Sequence, residues 1–510
     1  MQNSVVKNVL AALALVVLCF VVGSEAAENA KSSLAIVAAI VGALFLIWLG
    51  PRCWVLVFLL PPVMQFLPLP GKLAELPVAF VICSGILCYW LLMCGMGYTK
   101  FKWRSMLVMD ILIFAVFAYM VASYVRHPVS LNVLGLEVEY VGGKEYVWCI
   151  VATMYYIAVS CIPCSYNQVK KVFRWAVYLT VGCCLFGIVL AVLGIRGGGV
   201  EALMDTALNS RFSLFAPLGA YCIYVLYGTN PMGRVLTSPS IIMGLCMSFV
   251  AILFSGWREV LMSNCFVIAA ISFVKRELWA LILIGLMAYG GILLLSAEGI
   301  VKELPFGIQR CLSVAPGVEI DRDIRKETEH SSEWRKEMWG WALDSRYDYI
   351  RDYTWGDGFG QSVDYLQRDI TSLMRGESRV GDQERFARSG TWHSGVITSI
   401  HRLGWVGLVL ISSVYIYGVI MMFRVSFALK NTGLYLPVLF FVLPYAGRPS
   451  LFYISAGTIP NFFATYVFLA VVKLFYCLAK EEGIIQPMKL RKRYVPLVIQ
   501  EHQDEMQPAS

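Results

Sequence analysis

The residues best suited to chemistry lie in one polar stretch, Ser331 to Gly404, joined by three arginines from distant apolar runs. His393, in T-W-H-S-G, stands shortly ahead of an apolar run, where an imidazole meets both water and the lipid headgroup level. Imidazole titrates near neutrality, which suits it to take a proton from a hydroxyl. Arg335 lies in S-S-E-W-R-K-E-M-W-G-W-A-L, Arg258 in F-S-G-W-R-E-V, Arg211 in N-S-R-F-S and Arg448 in A-G-R-P-S. The last three each stand at the edge of an apolar run, where a guanidinium is costly unless it snorkels or finds a polar partner. Any one of them alone reads as a helix anchor. Together with Arg335 and a histidine on the same side, they read as a grip on an anion at the membrane surface. A lipid diphosphate is the natural candidate, because planar arginine forks match phosphate oxygens.

These side chains need elements to position them. Trp334, Met338 and Trp341 recur at i, i+4 and i+7, which predicts an amphipathic helix packed on something apolar, with Arg335 beside the stripe and Trp339 one turn on. Trp334 and Trp339 are candidate substrate contacts. Gly356, Gly358 and Gly360, in G-D-G-F-G, mark tight turns after that helix. No strand precedes them and no G-K-[S/T] follows, so this is not a nucleotide-binding loop. Turns are its plain reading, and direct ligand contact through Gly358 and Gly360 is the alternative. The run T-W-H-S-G-V-I-T-S-I-H-R-L-G-W predicts a short interfacial helix that enters the bilayer at Gly404.

The rest of the chain is largely apolar. With 510 residues, 58% hydrophobic and 15% charged, and a mean hydropathy of +0.67, it has too little polar surface for an ordinary soluble globule. Apolar runs long enough to cross roughly 30 Å of hydrocarbon recur throughout, predicting an all-α polytopic integral membrane protein with about 12–14 transmembrane helices. The runs lie near 8–25, 33–50, 52–68, 75–97, 106–125, 145–164, 173–195, 211–228, 239–255, 258–275, 278–296, 403–423, 434–447 and 452–476. Residues 1–27 also fit a signal peptide, with Lys7 before the apolar core. Cationic clusters at Lys100/Lys102/Arg104, Lys170/Lys171/Arg174, Lys275/Arg276, Arg424/Lys430 and Lys489–Arg493 fall on one side, which the positive-inside rule makes cytoplasmic. Four regions follow: an N-terminal bundle over 1–296, an exported and mainly helical loop over 297–402, C-terminal spans over 403–476 and a basic tail over 477–510. The loop carries over half of the 34 acidic residues.

Several function classes are disfavoured. The 15 cysteines sit almost wholly in apolar runs, so they read as small hydrophobes, and Cys311 in the exported loop reads as a buried thiol. Cys161 and Cys164 lack a second pair at metal-ligand spacing, so no metal site is expected. The net charge of +8 is mostly the cytoplasmic cations, with no basic stretch interleaved with aromatics to suggest nucleic acid. The tail should lie against anionic membrane lipids.

The order S-G-W-R-E, then W-R-K-E-M-W-G-W-A-L and G-D-G-F-G, then W-H-S-G and R-L-G-W-V-G-L resembles the O-antigen ligase and O-antigen polymerase superfamily, with the matching core over about 205–420. Ser394 stands where that family commonly has asparagine, and Trp257 where it commonly has serine. The resemblance implies a GT-C-like membrane glycosyltransferase in a bacterial inner membrane, with its active site on the periplasmic face. Arg258 and Arg335 would contact the diphosphate of a polyprenyl-linked glycan, and His393 would take the proton of an acceptor hydroxyl on a glycan, lipid or protein. Transfer would be inverting, with neither metal nor cofactor. Asp205, Glu259, Asp344 and Asp357 could orient the cations or the histidine.

Ligase, polymerase and protein glycosyltransferase differ only in acceptor, and all three stay open. A transporter or flippase of lipid-linked sugars is the competing class. It should carry ionisable residues deep in the membrane and often a two-fold repeat. The sequence reads as having neither.

Overall fold

The computed structural model describes residues 42, 44–64, 78–129, 140–193, 215–344, 346–362, 387, 390, 392–454 and 457–485. Over them the chain is helical, apart from a two-residue antiparallel pairing of Tyr140–Val141 with Gln361–Ser362. Five described helices are long and apolar enough to cross a membrane: Leu44–Pro61, Leu107–Arg126, Tyr166–Leu190, Gly395–Leu429 and Ile459–Glu481. Shorter apolar helices cover Cys83–Gly95, Pro239–Leu253 and Leu281–Ala297. The expected span near 8–25, most of that near 33–50, and the basic tail beyond 485 lie outside the described residues, as does Arg211.

Helix ends follow the expected runs where charge brackets the apolar stretch. The helices Leu107–Arg126, Arg258–Lys275 and Leu278–Ala297 stop within a residue or so of the boundaries read from sequence. Near the C-terminus the reading needs correction. The expected span near 434–447 is three pieces, Tyr435–Phe441, a 3₁₀ turn at Leu443–Ala446 and Gly447–Ile454. Pro444 lacks an N–H and cannot continue the first helix, so Arg448 sits in the first turn of a helix instead of a loop. The span near 452–476 is present as Ile459–Glu481, starting later than read, with Thr465 in helical geometry between Ile459–Ala464 and Tyr466–Glu481.

The bundle has two distinct ends. At one, Arg104 donates to the carbonyls of Ile162 and Cys164 and pairs with Glu481 at 2.9 Å, while Lys430 Nζ donates to the Val274 carbonyl at 3.2 Å. At the other, Arg126 pairs with Asp352 at 2.9 Å, and Tyr146 packs edge-on to Phe359 with centroids 5.1 Å apart. Among the described residues, Arg104 and Arg126 thus lie at opposite ends of the Leu107–Arg126 helix, the second against Asp352 of the polar loop.

A buried ion pair corrects a further expectation. Lys473, fully buried in the Tyr466–Glu481 helix, lies with Nζ 2.5 Å from Asp110 Oδ1. Tyr156 donates its hydroxyl to the same oxygen at 2.7 Å, and the Met106 amide donates to Asp110 Oδ2 at 2.9 Å. Ionisable residues are thus present inside candidate spans, where the sequence reading saw none.

Candidate active site

The site is built on a broken helix. Gly395–Leu429 carries a non-helical residue at Gly404, with φ 65° and ψ −175°, and a Cβ there would strike the Thr354 carbonyl. This backbone suits glycine. The break leaves two carbonyls and two amides without helical partners, and the segment around G-D-G-F-G supplies replacements. Asp357 N donates to the His401 carbonyl at 2.8 Å and Gly358 N to the Arg402 carbonyl at 3.1 Å. In the other direction, Trp405 N donates to the Tyr353 carbonyl at 2.8 Å and Val406 N to the Thr354 carbonyl at 3.3 Å. Arg402 Nη1 adds a bond to the Gly358 carbonyl at 3.0 Å, and Tyr119 donates its hydroxyl to the Leu403 carbonyl at 2.6 Å.

Gly356 and Gly358 both have positive φ, in keeping with the turns read from G-D-G-F-G. Gly358 has φ +74°, and a Cβ on it would sit 2.7 Å from the His127 Cβ. Gly360 leads into the two-residue strand beside Gly142. Gly358 serves backbone packing beside the kink, exchanging bonds with Arg402 through its amide and its carbonyl.

The amphipathic helix over the site is Arg322–Leu343, capped by Asp321, whose carboxylate accepts from Asp323 N at 2.8 Å. Met338 and Ala342 are buried, and Trp334 and Trp341 are half-buried, so the stripe faces the protein. Trp339 Nε1 donates to the Trp392 carbonyl at 2.7 Å. Trp334 lies against His393 with ring centroids 5.7 Å apart. His393 itself is half-buried with φ +48°, a left-handed backbone that costs a side chain-bearing residue on the order of 1 kcal/mol. Ser394 follows it as the N-cap of the kinked helix, its hydroxyl accepting from Ile397 N.

His393 and Arg258 are linked here through Arg335 and Glu259, each within electrostatic reach of both. Burial first, and then the nearby Arg335 guanidinium, push the His393 imidazole below its ordinary pKa, while the Glu259 carboxylate opposes them. Arg258, at the start of the Arg258–Lys275 helix, is within electrostatic reach of Arg335, Glu259 and Arg310. Arg310 was not read from the sequence. It belongs to a short helix, Phe306–Leu312, and reaches Arg258 because Gly307 lets that helix abut the Ser255–Gly256 turn. A Cβ on Gly307 would lie 2.7 Å from the Phe254 carbonyl oxygen. Arg310 also pairs with Glu327 on the amphipathic helix, tying the two elements together. Its neighbour Cys311 is buried, as expected of a structural thiol.

No family model matches the chain, and no curated protein shows significant similarity to it.

Arg448 stands apart from the other cations. Its guanidinium lies 4.7 Å from the Phe468 ring centroid, within electrostatic reach of Tyr221, Tyr224 and Tyr415. It lines a cavity of about 550 Å³ whose wall includes Tyr221, Asn264, Phe440 and Phe468, and Glu259 lies on the same wall. Through Glu259 the cavity adjoins the histidine and arginine cluster. A larger open cleft of about 870 Å³, between Phe273, Trp279 and Lys430, lies at the cation-rich end and far from that chemistry. Among the described residues no group of three His, Cys, Asp or Glu is placed to hold a metal ion.

Proposed function

We propose that the chain is a membrane glycosyltransferase of the O-antigen ligase and polymerase type, moving a glycan from a polyprenyl diphosphate to an acceptor hydroxyl at the exported face. The observation that carries this is His393 set against Trp334 with Arg335 and Glu259 within electrostatic reach, while Arg258 is within reach of both of those and of Arg310. The family reading rests on the quoted motifs and their order. A 12–14-span GT-C-like arrangement in a bacterial inner membrane is part of the same proposal.

In this mechanism the acceptor hydroxyl gives its proton to the His393 imidazole as its oxygen bonds to the anomeric carbon. The bond from that carbon to the diphosphate oxygen breaks, and polyprenyl diphosphate leaves with the electron pair. A depressed imidazole pKa keeps His393 unprotonated and able to accept at neutral pH. Fixed guanidinium groups stabilise the charge that grows on the leaving diphosphate. Attack opposite the leaving group inverts the anomeric centre. The largely apolar cavity with Arg448 on its wall provides room for part of an isoprenoid chain.

One observation favours the competing transporter class, namely the buried Asp110–Lys473 pair inside candidate spans. Its two charges are satisfied by each other, and it lies near Arg104 and Glu481 at the cation-rich end, away from the His393 cluster. Glycosyl transfer is therefore the better supported reading.

The test is reconstitution of the purified chain in vesicles with a fluorescent polyprenyl diphosphate glycan and candidate acceptors. Transfer predicts one polyprenyl diphosphate released per glycan moved, with inversion at the anomeric carbon. Donor crossing the bilayer with no diphosphate released would place the chain among the transporters.

A further inference from the structure

His393 holds a left-handed backbone conformation, and the residue before it is anchored on two sides. Trp392 is fully buried and held through its carbonyl and its indole N–H. Its carbonyl accepts from Trp339 Nε1 at 2.7 Å, and its own Nε1 donates to His401 Nδ1 at 2.9 Å. An indole N–H only donates, so His401 Nδ1 must be the unprotonated nitrogen. The ring proton of neutral His401 then sits on Nε2, which faces Asp357 Oδ2 at 3.6 Å. That carboxylate is itself held, accepting from the amides of Arg351 at 3.0 Å and Asp352 at 2.9 Å. Asp357 also donates its amide to the His401 carbonyl.

We propose that His401 is a positioning residue for His393, acting through Trp392 and oriented by Asp357. The chain of contacts ties the G-D-G-F-G clip to the residue preceding the proposed base. The sequence offered Asp357 only as a possible orienting group and gave His401 no role. Their link is legible only once the Gly404 break brings the clip against the helix. The network anchors Trp392 on two sides, from the amphipathic helix and from the kinked helix, so the peptide joining it to His393 has little freedom to rotate. In this arrangement the aromatic face of Trp334 and the charges of Arg335 and Glu259 keep a fixed relation to the His393 ring.

The inference rests on the proposed role of His393, but its test does not need glycosyl transfer. The full chain in nanodiscs is treated with diethyl pyrocarbonate across pH 5 to 8, and modification of His393 is followed by mass spectrometry. Wild type is compared with His401→Leu, His401→Gln and Trp392→Phe. Loss of the acceptor in His401→Leu, or of the donor in Trp392→Phe, frees His393 from its buried setting. The midpoint of its reactivity should then rise by roughly 0.5–1 pH unit and its limiting rate several-fold. His401→Gln, whose amide oxygen can accept the indole N–H, should stay near wild type. Should His401→Leu not fold, Trp392→Phe against wild type carries the comparison. Two outcomes overturn the proposal: His393 reactivity unchanged in both disrupting variants, or Gln and Leu at position 401 shifting it equally. A chain that shows the predicted pattern yet transfers no glycan contradicts the proposed function and leaves the positioning role standing.

Discussion

The Trp334 and His393 rings stand 5.7 Å apart at a tilt of 55°, bringing an indole from the amphipathic helix onto an imidazole just ahead of the kinked helix. This contact joins two elements separated by more than fifty residues of chain. The imidazole is half-buried there, with Arg335 within electrostatic reach of it and Arg258 within reach of Arg335. Burial there has a consequence for protonation.

Because burial and Arg335 both disfavour the imidazolium, His393 should lose its proton below the ordinary value of about 6.5. A base works only when unprotonated. Transfer should therefore be flat at pH 7 and above and fall on acidification through a midpoint under 6.5. The same shift makes a stability contribution that is full above the unfolded value and lost as pH falls through the lower folded one. A pH–rate profile of donor consumption checks this. A midpoint above 7 would contradict it.

Changing the two charges that act on His393 should move that midpoint in opposite directions. Arg335→Gln removes a cation and should raise it, whereas Glu259→Gln removes an anion and should lower it. Both variants are expected to transfer more slowly, so the informative quantity is the position of the midpoint. Shifts of the same sign in both would show that these side chains do not face the imidazole.

Gly404→Ala should be strongly destabilising. The residue has φ 65°, and a methyl group would overlap the Thr354 carbonyl and pry the G-D-G-F-G clip from the helix. A cost of about 3 kcal/mol or more is expected. Thermal unfolding of the purified chain measures it. Wild-type stability in this variant would mean that the clip does not hold the kink.

Lys473→Met leaves the Asp110 carboxylate buried without its cation. Breaking a buried pair from one side costs about 3–5 kcal/mol, whereas removing both charges costs less. The double variant Lys473→Met with Asp110→Leu should therefore recover part of the loss in a chemical unfolding series. It should not recover all of it, since Tyr156 and the Met106 amide lose their acceptor.

How much of this was legible in the sequence depended on whether the cause was local. Leu107–Arg126 and Arg258–Lys275 were read nearly to the residue, because a long apolar run bounded by charge fixes a helix by itself. The stripe of Trp334, Met338 and Trp341 likewise gave the amphipathic helix and the face it buries. Lys473 stands alone within the apolar run V-V-K-L-F-Y, and its partner lies 363 residues away, so no local pattern marks the pair. Arg310 could not be paired with Arg258 from spacing, since their approach depends on a glycine contact between separate elements. The packing around Gly358 was hidden for a related reason. Its turn was evident, but the backbone groups it serves appear only when Gly404 breaks the helix.

The central claim is that His393 takes a proton from the acceptor during glycosyl transfer. Its most direct test is single-turnover transfer from a polyprenyl diphosphate glycan at pH 7.5, comparing wild type with His393→Ala under saturating donor. The account predicts a rate at least about 100-fold lower in the variant, with donor binding largely kept through Arg258 and Arg335. Transfer at the wild-type rate by folded His393→Ala would contradict it.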